Sequence, residues 1–86
     1  MDNTTIADRL REEARQLARR GENLFRVRAY RWAALVVQRL DRPLAELLAE
    51  QGRAGLEAIP GIGTSLARTL ELFVRTGEWV TRTHAA

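Results

Sequence analysis

Leu56-Glu57-Ala58-Ile59-Pro60-Gly61-Ile62-Gly63-Thr64-Ser65-Leu66-Ala67 decides how this chain folds. Two glycines separated by one apolar residue, with proline before them and small polar residues after, make a tight turn between two helices. Gly61 and Gly63 are expected at positive φ, and neither carries a side chain that would block an approaching anion. Ile62 is expected to turn inward and anchor the loop. Thr64 reads as the cap of a last helix built on Leu66, Ala67, Leu70, Phe73 and Val74, which Gly77 stops. The N–H groups of such a turn, together with those of the helix's first turn, point outward in a row and form an anion site. Ser65 adds a hydroxyl there, and Arg68 lies about one turn further on.

Upstream of this turn, the pattern is helical throughout. A brief segment over about 53–58 leads into the turn. Before it, Leu44, Leu47 and Leu48 give a short helix that ends at Gly52, with Asp41 near its cap and Pro43 in its first turn. Ile6, Leu10, Ala14 and Leu17 define a first helix over about 5–20, opened by a Thr5 and Asp8 capping pair and closed by Gly21. Asn23 caps a second helix whose apolar row is Phe25, Ala29, Trp32, Ala33, Val36 and Leu40. Trp32 is assigned to the core with that row, and Tyr30 to the core edge with its hydroxyl in water. The other side of this helix carries Arg28, Arg31, Gln38, Arg39 and Arg42 as a basic stripe. Trp79 is expected to fold back onto the last helix, and only the ends, before Thr4 and after about Trp79, are expected to be loosely held. No strand-length alternation occurs, so the expected fold is all-α: a compact bundle of four to five short helices in a single domain over 1–86, with the hairpin over 53–76.

Composition narrows the function. A chain of 86 residues with no cysteine has no disulfide framework, no thiolate metal site and little room for a deep catalytic pocket beside its core. All fourteen basic residues are arginine, so there is no side-chain amine for Schiff-base chemistry, and the α-amino group of Met1 is the only amine. No apolar run reaches membrane-spanning length. His84 is the only histidine and has no ligand-type partner at useful spacing. The acidic pairs Glu12-Glu13 and Glu46/Glu50 are expected on solvated helix faces. Of the net charge of +3, residues 21–42 carry the largest positive share, while 43–63 are net acidic. These features predict a non-enzymatic binding module, cytoplasmic, with no membrane partner. Its contacts with a sugar-phosphate backbone would be Gly61, Ile62, Gly63, Thr64, Ser65 and Arg68 at the turn, and Arg26, Arg28 and Arg31 upstream, with Arg75 adding charge. So few phosphate contacts imply weak binding, made useful by a second module through homodimerisation or tethering. A protein-interaction scaffold is the alternative, favoured by the acidic balance around the turn.

The 56–67 stretch resembles the helix-hairpin-helix signature. Upstream, Asn23-Leu24-Phe25-Arg26-Val27-Arg28-Ala29-Tyr30-Arg31-Trp32-Ala33-Ala34 resembles the second helix of the amino-terminal domain of family X DNA polymerases, the group of DNA polymerase beta, particularly its bacterial members. The two motifs stand in that family's order and distance, and the resemblance covers about 5–80. It implies a nucleoid-associated helical domain that uses those backbone contacts to grip DNA at gaps, nicks or recessed ends without base specificity, as a homodimer or beside a tethered polymerase-like partner. It further implies a monovalent cation such as K+ or Na+ on the backbone carbonyls of Glu57, Ile59 and Ile62. The chain departs from the family at the lyase position, where Thr69 stands in place of the lysine. The family's phosphate-holding lysines correspond to Arg26, Ser65 and Thr81, so only Arg26 keeps the charge; Tyr30 matches a pocket residue.

Overall fold

The structure, a computed structural model, describes residues 1–81. Four helices and no strand occur among those residues: α1 (Asn3–Arg19), α2 (Leu24–Arg39), α3 (Leu44–Glu57) and α4 (Thr64–Thr76). The all-α class is therefore the one that the spacing predicts. The helices fall into two compact units, the first holding α1 and α2 up to Asp41 and the second holding α3 and α4 from Arg42 onward.

In the first unit, α1 begins earlier than its apolar spacing predicts. Asp2, not Thr5, is the cap: its carboxylate accepts the Thr5 amide at 2.8 Å, so Asn3 is helical rather than loose. That backbone hydrogen bond holds the Asp2 carboxyl below its ordinary pKa. At the other end Gly21, at φ 70, closes α1 in the manner of a Schellman motif. The Glu22 N–H donates to the Leu17 carbonyl at 2.9 Å and the Gly21 N–H to the Ala18 carbonyl at 3.1 Å. Asn23 then opens α2 by accepting the Phe25 amide at 2.7 Å.

The α1 face buries Ile6, Ala7, Leu10, Ala14 and Leu17, and α2 packs along it. The face that α2 buries corrects the expected one. Val27, Tyr30, Ala33, Ala34 and Val37 are buried, whereas Phe25 is 78% exposed and Trp32 52% exposed. Both rows recur at helical spacing, so periodicity alone does not choose between them. The α1 face already carries the bulk of Ile6, Leu10 and Leu17, and the Val/Ala row fills the remaining space at native density where a Phe/Trp row would overfill it. Glu13 is a second correction: it is 2% exposed, not solvated, and pairs with Arg9 at 3.6 Å.

In the second unit, α3 is interrupted at Gly52, whose φ of 69 and ψ of −166 are not helical. Its arms, 44–51 and 53–57, are the two segments that the sequence predicts. Pro43 occupies the N-cap position rather than the first turn, and no side chain, Asp41 included, caps the helix. Arg42 lies along the first arm, 2.7 Å from Glu46 and 2.6 Å from Glu50, so it is no part of a free basic stripe. Gly77 ends α4 at φ 79, with its N–H donating to the Phe73 carbonyl at 2.8 Å. The chain then turns back. Trp79 meets Phe73 edge-on, with ring centroids 5.2 Å apart, and Thr81 is buried, so the held part extends past Trp79.

These assignments separate two kinds of substitution. Leu10→Ala should cost about 2–5 kcal/mol in urea unfolding, the usual loss for a buried leucine, while Phe25→Ala and Trp32→Ala should each change stability by only about 0.5 kcal/mol. Losses at Phe25 and Trp32 as large as that at Leu10 would place the Phe25–Trp32 row in the core after all.

Candidate functional site

The loop 58–63 joins the second arm of α3 to α4. The Ala58 N–H still donates to the Ala54 carbonyl at 3.1 Å, and the Ile59 N–H to Leu56 at 3.1 Å. Pro60 has no N–H to place. Gly61 takes φ 91, a conformation that L side chains rarely adopt, and this reverses the chain. Ile62 is 2% exposed and its N–H donates to the Ile59 carbonyl at 3.0 Å; the predicted inward anchor is observed.

Gly63 corrects the expected geometry twice. Its φ of −85 and ψ of −177 are extended, not left-handed, and it, rather than Thr64, is the N-cap of α4. No side chain caps this helix end. The Ala67 N–H donates to the Gly63 carbonyl at 2.9 Å, whereas the amides of Gly61, Gly63, Thr64 and Ser65 donate to nothing among the described residues. All four of these residues are exposed, and a Cβ built on Gly63 would meet nothing within 4 Å. The result is an exposed row of hydrogen-bond donors at the positive end of a helix dipole, open to an anion. Arg68 is exposed one turn on and makes no ion pair among the described residues.

An ion-pair brace, which the sequence reading missed, joins the two helices of the hairpin. Arg53 stands 3.9 Å from Glu57 and 3.8 Å from Glu71, and Arg75 stands 3.1 Å from the same Glu71. The i,i+4 spacings of Arg53 to Glu57 and Glu71 to Arg75 were the available signal. Arg75 is thus committed to a carboxylate, contrary to its expected part as free charge. Behind the brace, the Thr69 hydroxyl lies 3.1 Å from the Val80 carbonyl and 3.3 Å from the Ser65 carbonyl, and Thr69 is only 4% exposed.

The carbonyls suit a monovalent cation by donor type. Those of Glu57 and Ile62 accept no hydrogen bond among the described residues, and that of Ile59 accepts only the Ile62 amide. No three His, Cys, Asp or Glu side chains among the described residues gather to hold a metal ion, and His84 lies outside those residues.

Arg26, Arg28 and Arg31 belong to the first unit, on α2, and they do not act alike. Arg28 and Arg31 are exposed. Arg26 hydrogen-bonds the Tyr30 hydroxyl, which lies near the Glu13 and Arg9 charges. Tyr30 is 8% exposed, and burial pushes its pKa up, with the Arg26 hydrogen bond opposing.

Against family models, residues 1–79 match one described as a helix-hairpin-helix domain. No curated protein matches the chain. No helix among the described residues is long and apolar enough to cross a membrane.

Tyr30 is the only tyrosine, so tyrosinate absorbance reads it alone. Its folded-state pKa is raised, so its contribution to stability is complete below the unfolded value of about 10 and is lost as pH rises through the folded value. Alkaline titration should give a midpoint above that of the urea-unfolded chain. A coincident pair of midpoints would mean an exposed ring.

Proposed function

Because the chain belongs to the helix-hairpin-helix domain family, whose members generally bind nucleic acid, we propose that it binds DNA without sequence specificity through the phosphates of one strand. The observation that carries this reading is the row of unengaged amides from Gly61 to Ser65, held outward by the buried Ile62. Phosphate oxygens accept from those amides, and the exposed Arg68 guanidinium adds charge beside them. Backbone donors carry no information about bases, which is why the binding is indifferent to sequence. A monovalent cation on the carbonyls of Glu57, Ile59 and Ile62 would add a positive charge at the same loop. With about two to four phosphates engaged, the slope of log affinity against log salt is about −2 to −4.

The resemblance to family X polymerases supports a role at gapped or nicked DNA in repair or replication. It does not extend to the lyase reaction. Thr69 offers a hydroxyl, which forms no imine, and that hydroxyl is turned toward the Val80 carbonyl. A second reading, a protein-interaction module, is favoured by one observation: Leu24, Phe25, Trp32 and Leu35 are exposed along α2.

Gly63→Asp separates binding from folding. An N-cap aspartate at this extended φ/ψ supports α4 by a few tenths of a kcal/mol, while its carboxylate occupies the open amides and repels phosphate. Fluorescence anisotropy with single-stranded, duplex and gapped DNA should show affinity falling about tenfold or more, the loss of at least one charged hydrogen bond, with the melting temperature unchanged or higher. Unchanged DNA affinity in the folded variant would overturn the hairpin reading and favour the protein partner. Borohydride treatment on an abasic substrate should trap no adduct, and an adduct would assign the Met1 amine a chemical role.

A further inference from the structure

The sequence reading puts Arg31 in the basic stripe of α2 with Arg28, Gln38, Arg39 and Arg42, and the structure brings it beside two arginines of α1. Arg31, from α2, lines a cleft of about 260 Å³ together with Arg11 and Arg15 from α1. Among the described residues, no carboxylate lines it and Arg31 makes no ion pair. Arg11 is held by Asp8 at 3.0 Å and by the Gln38 amide oxygen across on α2, and Arg15 by Glu12 at 2.7 Å.

Those two ion pairs orient the guanidinium groups without removing them from reach. Both are i,i+3 pairs on one helix, with Arg15 and Asp8 side chains well exposed. Exposed pairs of this kind are worth only about 0.2–1 kcal/mol and are screened by salt. A guanidinium presents five donors in a planar fork, so a carboxylate on one edge leaves another edge for a second oxyanion. Three such groups around one concavity, one with no anionic partner, make a site for an anion with several oxygens. A phosphodiester, with two anionic and two ester oxygens set tetrahedrally about phosphorus, presents acceptors in several directions to such a site.

We propose that this cleft is a second phosphate site, in the first unit, that holds a phosphodiester of nucleic acid independently of the hairpin. The inference rests on the DNA-binding reading for its ligand, but not on the hairpin amides. It assigns Arg11 and Arg15, otherwise read as ordinary partners in surface ion pairs, a part in binding. It also adds an anchor at a place where the chain has no unengaged backbone amides of the hairpin kind.

The test is an NMR titration of the full chain with a short thymidine oligonucleotide, following the arginine Nε–Hε signals of Arg11, Arg15 and Arg31 and the amides of Gly61 and Gly63. It is run on wild type, on Gly63→Asp and on the double variant Arg15→Gln/Arg31→Gln, and repeated with inorganic phosphate as the probe. The three arginine signals should shift together in wild type and still shift in Gly63→Asp. The double variant should keep the hairpin shifts, and its salt slope should be less steep by about 1. Hairpin shifts without arginine shifts overturn this inference and leave the proposed function standing. No shift at either place overturns both. Arginine shifts that saturate with inorganic phosphate as readily as with the oligonucleotide would make the cleft a simple anion site and overturn the nucleic-acid assignment. Because Arg15 and Arg31 are exposed, the double variant should fold, and its unchanged core resonances would show it.

Discussion

One buried side chain governs the hairpin. Ile62 can reach the interior only if the chain reverses just before it, and the reversal is made by Gly61 at φ 91. With Ile62 inside, the amides of Gly61, Gly63, Thr64 and Ser65 have no partner among the described residues. Backbone donors left without partners are stable only in water or against an acceptor. The outward amide row therefore follows from how the loop is anchored. A larger residue at Gly61 would strain the turn, while at Gly63 it would leave the backbone untouched and stand where an anion would sit. Two glycines in one motif thus serve different ends: one conformation, the other clearance.

Charge in this protein is mostly local bookkeeping. Arg42 is tied to Glu46 and Glu50, Arg53 and Arg75 to Glu71, and Arg9 to the buried Glu13. The hydrogen bond to Glu50, joined by that to Glu46, holds the Arg42 pKa above its ordinary value. What faces outward without a carboxylate includes Arg28, Arg31 and Arg39 on α2 and Arg68 beside the hairpin. The net charge of +3 understates the local field at these places and overstates it along α3. Non-specific binding depends on that local field, since a phosphate senses charges within about a Debye length of 8–10 Å.

The sequence was most legible where a glycine or a cap set a boundary. Gly21, Asn23, Gly52 and Gly77 end or begin helices where the pattern predicts, because each position demands a conformation or a hydrogen bond that few residues supply. The face of α2 was not legible. Its sequence offers two apolar rows at the same period, and the choice depends on the volume that α1 leaves, which is a property of packing between elements and not of α2 itself. Glu13 and Tyr30 failed to announce themselves for a related reason. A carboxylate and a hydroxyl are tolerated inside when Arg9 and Arg26 meet them, and those partners are known only once α1 and α2 are laid together. At the hairpin, the sequence reading makes Thr64 the cap. Gly63 holds it, and leaving that end without a capping side chain is what keeps the amides open.

Thr69 shows how a position in such a hairpin changes its physical role with residue type. A lysine there would carry a long, charged side chain that the interior disfavours, and burial would depress its pKa toward the reactive amine. Threonine fits under the returning segment instead, gives its proton to the Val80 carbonyl and lets Trp79 settle against Phe73. Closing the chain over α4 and keeping a reactive amine at that site are competing uses of one volume. In this sequence the volume goes to packing, and the unengaged amides of the loop lie exposed on the hairpin's outer side.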